Sequence, residues 1–409
     1  MAYIGRTPTG SILTSADIAD GSISTAKLED SAVTTDKITD NAVTAAKYVE
    51  YPAYRNLIIN GDMSIAQRSA GPSGSFGGSG YSEGPDRWRH SLNSCGNWQT
   101  SQSIDVPSGQ GFASSLKLDC TSAAASLAAT AEFQMVQRME GQMLQQLKKG
   151  TSNAESTTMS FWVKSNKTGT YIVRISDLDN SRSISKSYTI NSASTWEKKT
   201  ITFDGDTSGV LDNDNARSID IMFWLAAGSN YTSGTLATSW ESNTAANYAV
   251  GQVNVADSTS NEWYLTGVQW EVGISASDFE FLPYDVNLRR CQRYYYSLGG
   301  TNNTYKRVST NITNPSNRNQ TAGLHYLPVP MRNTPTVTIP SAGSFNGVVI
   351  GSANTFSSMT ISNQSEASSD PDFSVLRVSG TLSSNSGNHC VQVEMTYAST
   401  NKMEVSAEL

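Results

Sequence analysis

The chain has 409 residues and a formal net charge of −7, with 29 Lys and Arg residues against 36 Asp and Glu residues. An acidic chain without a long basic run excludes nucleic acid and anionic membranes as electrostatic partners. Only 16% of the residues are charged, against about 25% in an average globular protein, and uncharged polar residues take their place. The N-terminus has no charged and apolar leader, so we expect no standard export signal.

A ten-residue repeat fills residues 13–50. Each unit has two apolar residues five positions apart, which form two columns: Leu13, Ile23, Val33 and Val43, and Ile18, Leu28, Ile38 and Tyr48. Five-residue spacing fits neither one face of a helix nor one face of a strand. Because such a unit cannot bury its own apolar residues, the repeats must stack or associate between chains. We predict a thin stalk in which three chains place these residues on a common axis; a disordered linker is the alternative.

From about residue 55, short strand-like runs alternate with segments rich in Gly, Ser, Asn and Asp. Examples are Thr158–Lys164, Gly169–Ile175, Lys199–Phe203, Ser218–Trp224 and Trp263–Glu271. In the pairs Phe161–Trp162 and Phe223–Trp224, neighbouring residues point to opposite faces of a strand, so both faces carry an aromatic ring. Such strands are typical of a sandwich of two packed sheets. The pattern predicts a jelly-roll β-sandwich over residues 51–292, with one helix over residues 142–149 that ends at Gly150.

Residues 293–409 continue the strand pattern with longer polar loops. Strands are predicted at Pro335–Ile339, Gly347–Ile350, Ser358–Ile361, Ser374–Val378 and Cys390–Tyr397. We expect a second, smaller β-sandwich whose loops are suited to recognition. The fold class predicted for the whole chain is all-β.

Several motifs in the first part of the chain are distinctive. They are Arg55–Arg68 (RNLIINGDMSIAQR), Asp86–Trp88, Lys149–Thr151, Met159–Ser165, Thr195–Glu197, Thr266–Gly273 and Cys291–Tyr295. Together they resemble the tail fibres of marine, notably cyanobacterial, bacteriophages. The ten-residue repeat and the segment Tyr3–Pro8 also resemble features of these fibres. The short segment Asn60–Asp62 also resembles the first strand of carbohydrate-binding-module jelly rolls.

The resemblance implies a homotrimeric virion fibre that attaches to the tail by its N-terminus. It implies attachment to a tail or adaptor protein through residues 1–12, a trimeric stalk over 13–50 and a receptor-binding tip over 293–409. The residues that match the attachment segment are Tyr3, Ile4, Gly5, Arg6 and Pro8. Host surface polysaccharide or lipopolysaccharide is the implied ligand, bound without membrane insertion.

Aromatic and histidine residues of the C-terminal part are the glycan-binding candidates, because tyrosine rings stack on sugars while their hydroxyls form hydrogen bonds. The candidates are Tyr294, Tyr295, Tyr296, Tyr305, His325, Tyr326 and His389. Three consecutive tyrosines on a strand alternate between its faces, so at least one is expected in the core. Trp88, Trp98 and Trp240 offer a second possible platform, with the core as the alternative.

The sequence shows no catalytic signature such as G-x-S-x-G, H-E-x-x-H or a phosphate-binding loop. It also lacks the coil repeat of the β-helices on which depolymerase tailspikes are built. We therefore predict a non-enzymatic protein, with a glycan-degrading tailspike and a purely architectural fibre as the alternatives. No cofactor is predicted, and Asp62, close to Asn60, is the one candidate for a calcium ion.

Overall fold

The structure is a computed structural model that describes residues 54–299, 306–313, 320–349, 352–363, 373–383, 390–396 and 401–409. The predicted attachment segment, the ten-residue repeat, Tyr305 and His389 lie outside these ranges. Tyr54–Leu409 forms one compact unit. Strands dominate its described residues, which confirms the all-β fold class.

Two antiparallel sheets form the sandwich between residues 89 and 272. Their strands are β1 Arg89–Asn93, β2 Asn97–Ser103, β3 Ser115–Ser122, β4 Glu132–Glu140, β5 Thr157–Ser165, β6 Gly169–Asp177, β7 Arg182–Ile190, β8 Glu197–Phe203, β9 Arg217–Ala227, β10 Glu241–Ser242 and β11 Glu262–Val272. The six-stranded sheet has the order β1-β4-β9-β6-β7-β10, and the five-stranded sheet has the order β2-β3-β11-β5-β8. The main apolar core lies between them and includes Phe161, Phe223 and Trp263.

A β-bulge in β11 sets which residues face the core. The register with β5 shifts between Thr266 and Gln269, so that both Leu265 and Val268 are buried. Gly267 occupies the bulge with a φ of 62°, and a Cβ there would lie 2.5 Å from the ring of Phe112. Glycine is required here both for its backbone conformation and for the close approach of that ring.

The helix predicted over residues 142–149 is wrong. Two short 3₁₀ turns, Gly141–Met143 and Gln145–Leu147, stand there instead, and Lys148 ends the second in the left-handed conformation. The buried Leu144 and Leu147 are three residues apart, which matches the three residues per turn of a 3₁₀ helix.

The described helices are α1 Ser229–Thr232 and α2 Tyr284–Gln292, neither of which the sequence pattern predicted. Helix α2 follows Pro283 and buries Asn287 and Cys291, four residues apart on one face. No helix among the described residues is long and apolar enough to cross a membrane.

The C-terminal part contains a barrel and a small sheet. Its strands are β12 Tyr295–Gly299, β13 Lys306–Thr313, β14 Gln320–Tyr326, β15 Thr336–Thr338, β16 Phe345–Val349, β17 Ser352–Asn363, β18 Val375–Leu382, β19 Cys390–Met395 and β20 Lys402–Ser406. The closed barrel has the order β13-β14-β18-β17-β16-β19, and the three-stranded sheet has the order β12-β20-β15. A second, smaller β-sandwich was expected over residues 293–409, and the structure has a barrel and a three-stranded sheet there. Strands with alternating apolar residues can bury one face inside a barrel as well as between two packed sheets.

The last residues of the chain connect the three-stranded sheet to the sandwich. The Ala407 backbone N–H donates to the Tyr294 carbonyl at 2.8 Å, and Arg332 Nε donates to the Ala407 carbonyl at 2.9 Å. The Glu408 carboxylate accepts hydrogen bonds from the buried Arg87 and, at 3.2 Å, from Arg68 Nη2. The Arg87 guanidinium also stacks 3.5 Å from the Tyr294 ring centroid.

A second ion pair supports this junction between the sandwich and the C-terminal part. The Glu140 carboxylate, fully buried at the end of β4, accepts from Arg293 Nε at 2.9 Å and from Arg293 Nη2 at 2.8 Å. It also accepts from the Tyr294 hydroxyl. Burial raises the pKa of Glu140, but the hydrogen bonds from Arg293 and Tyr294 outweigh that effect and hold it below its usual value.

Replacing Glu408 with Gln tests the junction. The substitution removes the charge that neutralises Arg87, whose side chain is 1% exposed, and an unpaired buried charge is costly. We expect Glu408→Gln to lower the free energy of unfolding by about 3 kcal/mol, measured by urea denaturation.

Lys148→Gln is the control for Glu408→Gln, because it breaks the exposed ion pair between Lys148 and Glu155. We expect that change to cost less than about 1 kcal/mol. Equal effects of the two substitutions would contradict the role assigned to Glu408.

Candidate ligand-binding grooves

The outer face of the five-stranded sheet carries aromatic and polar side chains. In β5, Met159, Phe161 and Val163 point into the core, so Ser160 and Trp162 between them face outward. Trp162 is half-buried and pairs in register with Thr266 of β11 and Lys198 of β8. Strand alternation therefore places a tryptophan on this surface, beside a lysine.

A groove of about 340 Å³ runs between this face and two loops. We call it the aromatic groove; its principal lining residues are Phe112, Trp162, Lys198, Asp278, Phe279 and Phe281. The three phenylalanines form a cluster with ring centroids 4.8 to 5.1 Å apart. Phe281 is 51% exposed, so a large apolar ring remains available at the groove edge.

The loop that carries Phe279 and Phe281 is fastened to the sheet by hydrogen bonds. The Glu280 N–H donates to Gln269 Oε1 at 2.8 Å, and Gln269 Nε2 donates to Glu271 Oε1 at 2.8 Å. Glu271 in turn accepts from the Ser277 N–H at 2.9 Å and from the Ser277 hydroxyl at 2.6 Å. Both Gln269 and Glu271 are buried, so this side of the groove is preorganised.

The same sheet face continues past the groove as a second polar and aromatic patch. Lys164 Nζ lies 4.1 Å from the ring centroid of Tyr264, and Trp196 Nε1 donates to Asp105 Oδ1 at 2.9 Å. Burial raises the pKa of Asp105, but hydrogen bonds from Lys164 and Trp196 bring it below its usual value. This carboxylate stays charged and holds both side chains in place.

A second opening, of about 360 Å³, lies beside the three-stranded sheet. We call it the polar cleft; its principal lining residues are Arg68, Glu83, Tyr295, Thr338, Lys402 and Glu404. The Arg68 guanidinium stacks 3.6 Å from the Tyr295 ring centroid, and the Tyr295 hydroxyl donates to Glu404. Burial and the bond to Glu404 raise the pKa of Tyr295 well above its usual value.

The consecutive tyrosines lie in different environments. Tyr294 is fully buried against Glu140 and Arg87, so its ring is closed to a surface ligand. Tyr295 is only 2% exposed; it borders the polar cleft, and the Arg68 guanidinium lies over its ring. Tyr296 is half-buried on the barrel core and stacks on His325 at a centroid distance of 5.8 Å.

The two glycan-binding candidates on β14, His325 and Tyr326, also lie in different environments. His325 is buried and its Nδ1 lies 2.6 Å from the Val308 carbonyl, while burial lowers its pKa. Tyr326, the next residue, is 70% exposed on the opposite side of the strand. The structure therefore does not gather the described candidates into one site.

The three tryptophans considered as a platform are also apart from the groove. Trp88 and Trp98 are buried in the sandwich core. Trp240 is half-buried, donates to the Asp204 carbonyl at 2.7 Å, and lies 4.6 Å from Lys149 Nζ. Lys149 is itself buried in an ion pair with Asp206 at 2.7 Å, which gives the Lys-Gly-Thr motif a structural role.

The calcium candidate Asp62 is engaged by protein groups. Its Oδ1 accepts from Asn287 Nδ2 at 3.0 Å and from the Ser64 N–H at 3.4 Å. Among the described residues, no group of three or more His, Cys, Asp or Glu side chains is placed to hold a metal ion.

The aromatic groove was not predicted from the sequence. Alternation within Met159–Val163 places Trp162 on the outer face, but the rings that complete the groove come from two loops distant in sequence. The sequence signal for the groove is the pair Phe279 and Phe281 in an otherwise polar segment, because neighbouring exposed aromatic rings form an apolar patch of the kind that marks binding sites.

No protein-family model matches the sequence, and no curated protein matches it. Among solved structures, the chain is similar to the enzymatically active domain of tailspike protein 4 from bacteriophage CBA120, at 15% identity and a TM-score of 0.30. That likeness covers 54% of this chain and 22% of the tailspike, so the chain spans about a fifth of that protein.

The chain is also similar to carbohydrate-binding modules. The family 11 module from Clostridium thermocellum, solved with a mixed-linked tetrasaccharide, shares 13% identity at a TM-score of 0.26, over 47% of this chain and 91% of that one. A family 22 module of the same organism shares 9% identity at a TM-score of 0.26, over 47% and 88%. Identities and TM-scores this low carry no functional argument.

Proposed function

We propose that this chain is a non-enzymatic bacteriophage tail fibre protein that binds a host surface glycan through the aromatic groove. The observation that carries the proposal is the combination of Trp162 and the half-exposed Phe281 with the charged Lys198 and Asp278 around one opening. Aromatic rings supply apolar area for the faces of sugar rings, and the polar groups supply hydrogen bonds to hydroxyls.

The groove is suited to binding because much of it is already held in place. Trp162 sits on a central part of the sheet, and the loop with Phe281 is fixed through Gln269 and Glu271. A ligand therefore orders few side chains when it binds, which lowers the entropic cost.

The lining of the groove favours binding over hydrolysis. Glycosidases use two carboxylates on either side of the scissile bond, whereas the described residues that line the groove include one carboxylate, that of Asp278. The glycan-degrading tailspike remains the second candidate, and it predicts new reducing ends when the chain is incubated with its ligand.

The fibre assignment is supported by the tail-fibre motifs and by the ten-residue repeat. We propose that residues 1–12 attach to the tail, with Tyr3, Ile4, Gly5, Arg6 and Pro8 as contacts, and that residues 13–50 form a trimeric stalk. Three copies per fibre would turn weak binding at each groove into firm adsorption through multivalency.

Replacing Trp162 with Ala tests the groove. A glycan array first identifies a ligand of the wild-type chain, and calorimetry then compares its affinity for the variants. We expect Trp162→Ala and Phe281→Ala each to weaken binding at least about tenfold, or about 1.4 kcal/mol, because each removes a stacking surface.

Tyr326→Ala is the matched control, because it removes an exposed ring from the barrel and was itself a candidate from the sequence. We expect it to bind like the wild type. Loss of binding in Tyr326→Ala with none in Trp162→Ala would place the site on the barrel and contradict the groove. No glycan bound by the wild type would favour an architectural fibre.

The mass of the purified chain in solution tests the stalk separately. Light scattering should give three times the 44.0 kDa of one chain, with a high frictional ratio in sedimentation. Removing residues 1–50 should abolish the trimer while leaving binding to each groove intact. A compact monomer of the full chain would contradict the trimeric stalk.

A further inference from the structure

The polar cleft contains several polar side chains that have no partner. Within the described part of the chain, no hydrogen bond or ion pair engages the side chains of Ser82, Glu83, Thr336, Thr338 and Ser406. These residues line an opening of about 360 Å³, which lies in the range of about 300–1,000 Å³ of small-molecule sites.

The two cations among the described residues of the cleft, Arg68 and Lys402, are by contrast already paired. Arg68 bonds to Glu408 at 3.2 Å, and Lys402 Nζ lies 3.0 Å from Glu404 Oε1. Among the described residues that line the cleft, no unpaired cation is left to attract a phosphate or a sugar acid. The groups that remain available are the hydroxyls and the carboxylate of Glu83, which exchange hydrogen bonds with neutral hydroxyl groups.

The walls of the cleft are fixed. The strand β20 is paired on both sides, so Thr336 and Tyr295 both stand opposite Ser406. On the other wall, Arg68 stacks on Tyr295 and its carbonyl accepts from Lys402 Nζ at 2.7 Å. Thr336, Thr338 and Ser406 are therefore held at set positions along one wall of the opening.

We propose that the polar cleft is a second binding site, which takes a short neutral oligosaccharide through hydrogen bonds to its hydroxyls. It shares no lining residue with the aromatic groove and uses hydrogen bonds where the groove offers aromatic rings. The inference stands independently of the proposed function, since it rests on the cleft residues alone. Two sites on one chain would let it hold a polysaccharide at two points.

The cleft is better suited to binding than to glycoside hydrolysis, although it contains two carboxylates. Burial raises the pKa of Glu404, but hydrogen bonds from Tyr295 and Lys402 hold it below its usual value. A general acid needs a raised pKa so that it carries a proton at neutral pH. Glu404 is therefore a hydrogen-bond acceptor for its neighbours.

Titration with neutral trisaccharides tests the cleft. Maltotriose, cellotriose, galactotriose and mannotriose are each added to the full chain, and binding is followed by calorimetry. We expect at least one of them to bind, and Glu83→Gln and Thr338→Val each to weaken that binding at least about tenfold. Both substitutions keep the side-chain shape, and neither side chain has a partner to lose, so unfolding should be unchanged.

Two further variants separate this site from the aromatic groove. Thr360→Val, an exposed threonine of β17 away from both openings, should leave binding unchanged. Trp162→Ala should leave binding to the cleft unchanged as well. If Trp162→Ala abolishes binding while Glu83→Gln does not, the second site is overturned and the proposed function is supported. If none of the four trisaccharides binds the wild-type chain, the second site is also overturned.

Discussion

The buried contact between Arg87 and Glu408 is the constraint on which the arrangement of the described unit depends. Arg87 lies in the sandwich, and Glu408 lies in the segment that follows the last strand, 321 residues further along the chain. A buried charge is stable only with its partner, so the two segments must meet for either to be tolerated. Tyr294 stacks on Arg87 and bonds to Glu140, which brings the start of the C-terminal part to the same point.

Both candidate sites follow from how the sheets are packed and fastened. The aromatic groove exists because one face of the five-stranded sheet is buried and the alternate residues, including Trp162, must face outward. The polar cleft exists because the three-stranded sheet is held beside Arg68 by the contact of Arg68 and Arg87 with Glu408. Its other face, with Met403 and Val405, packs on the barrel core, which leaves Glu404 and Ser406 on the open side.

The sequence predicted what depends on local pattern and missed what depends on distant contacts. The all-β class follows from alternation over a few residues, and the structure confirms it. The prediction of a helix over residues 142–149 was wrong because the spacing of Leu144 and Leu147 fits a 3₁₀ turn as well as an α-helix. Both openings join residues far apart in the chain, such as Trp162 with Phe281; a local pattern marks single aromatic residues but not which of them meet.

Hydrogen–deuterium exchange of the whole chain, with and without the glycan that it selects on an array, tests the central claim most directly. Amides in the loops over residues 104–114 and 273–283 border the aromatic groove, so bound glycan should slow their exchange. Protection of these two loops is the predicted result. Protection confined to the barrel strands, with these loops unchanged, would contradict glycan binding at the groove.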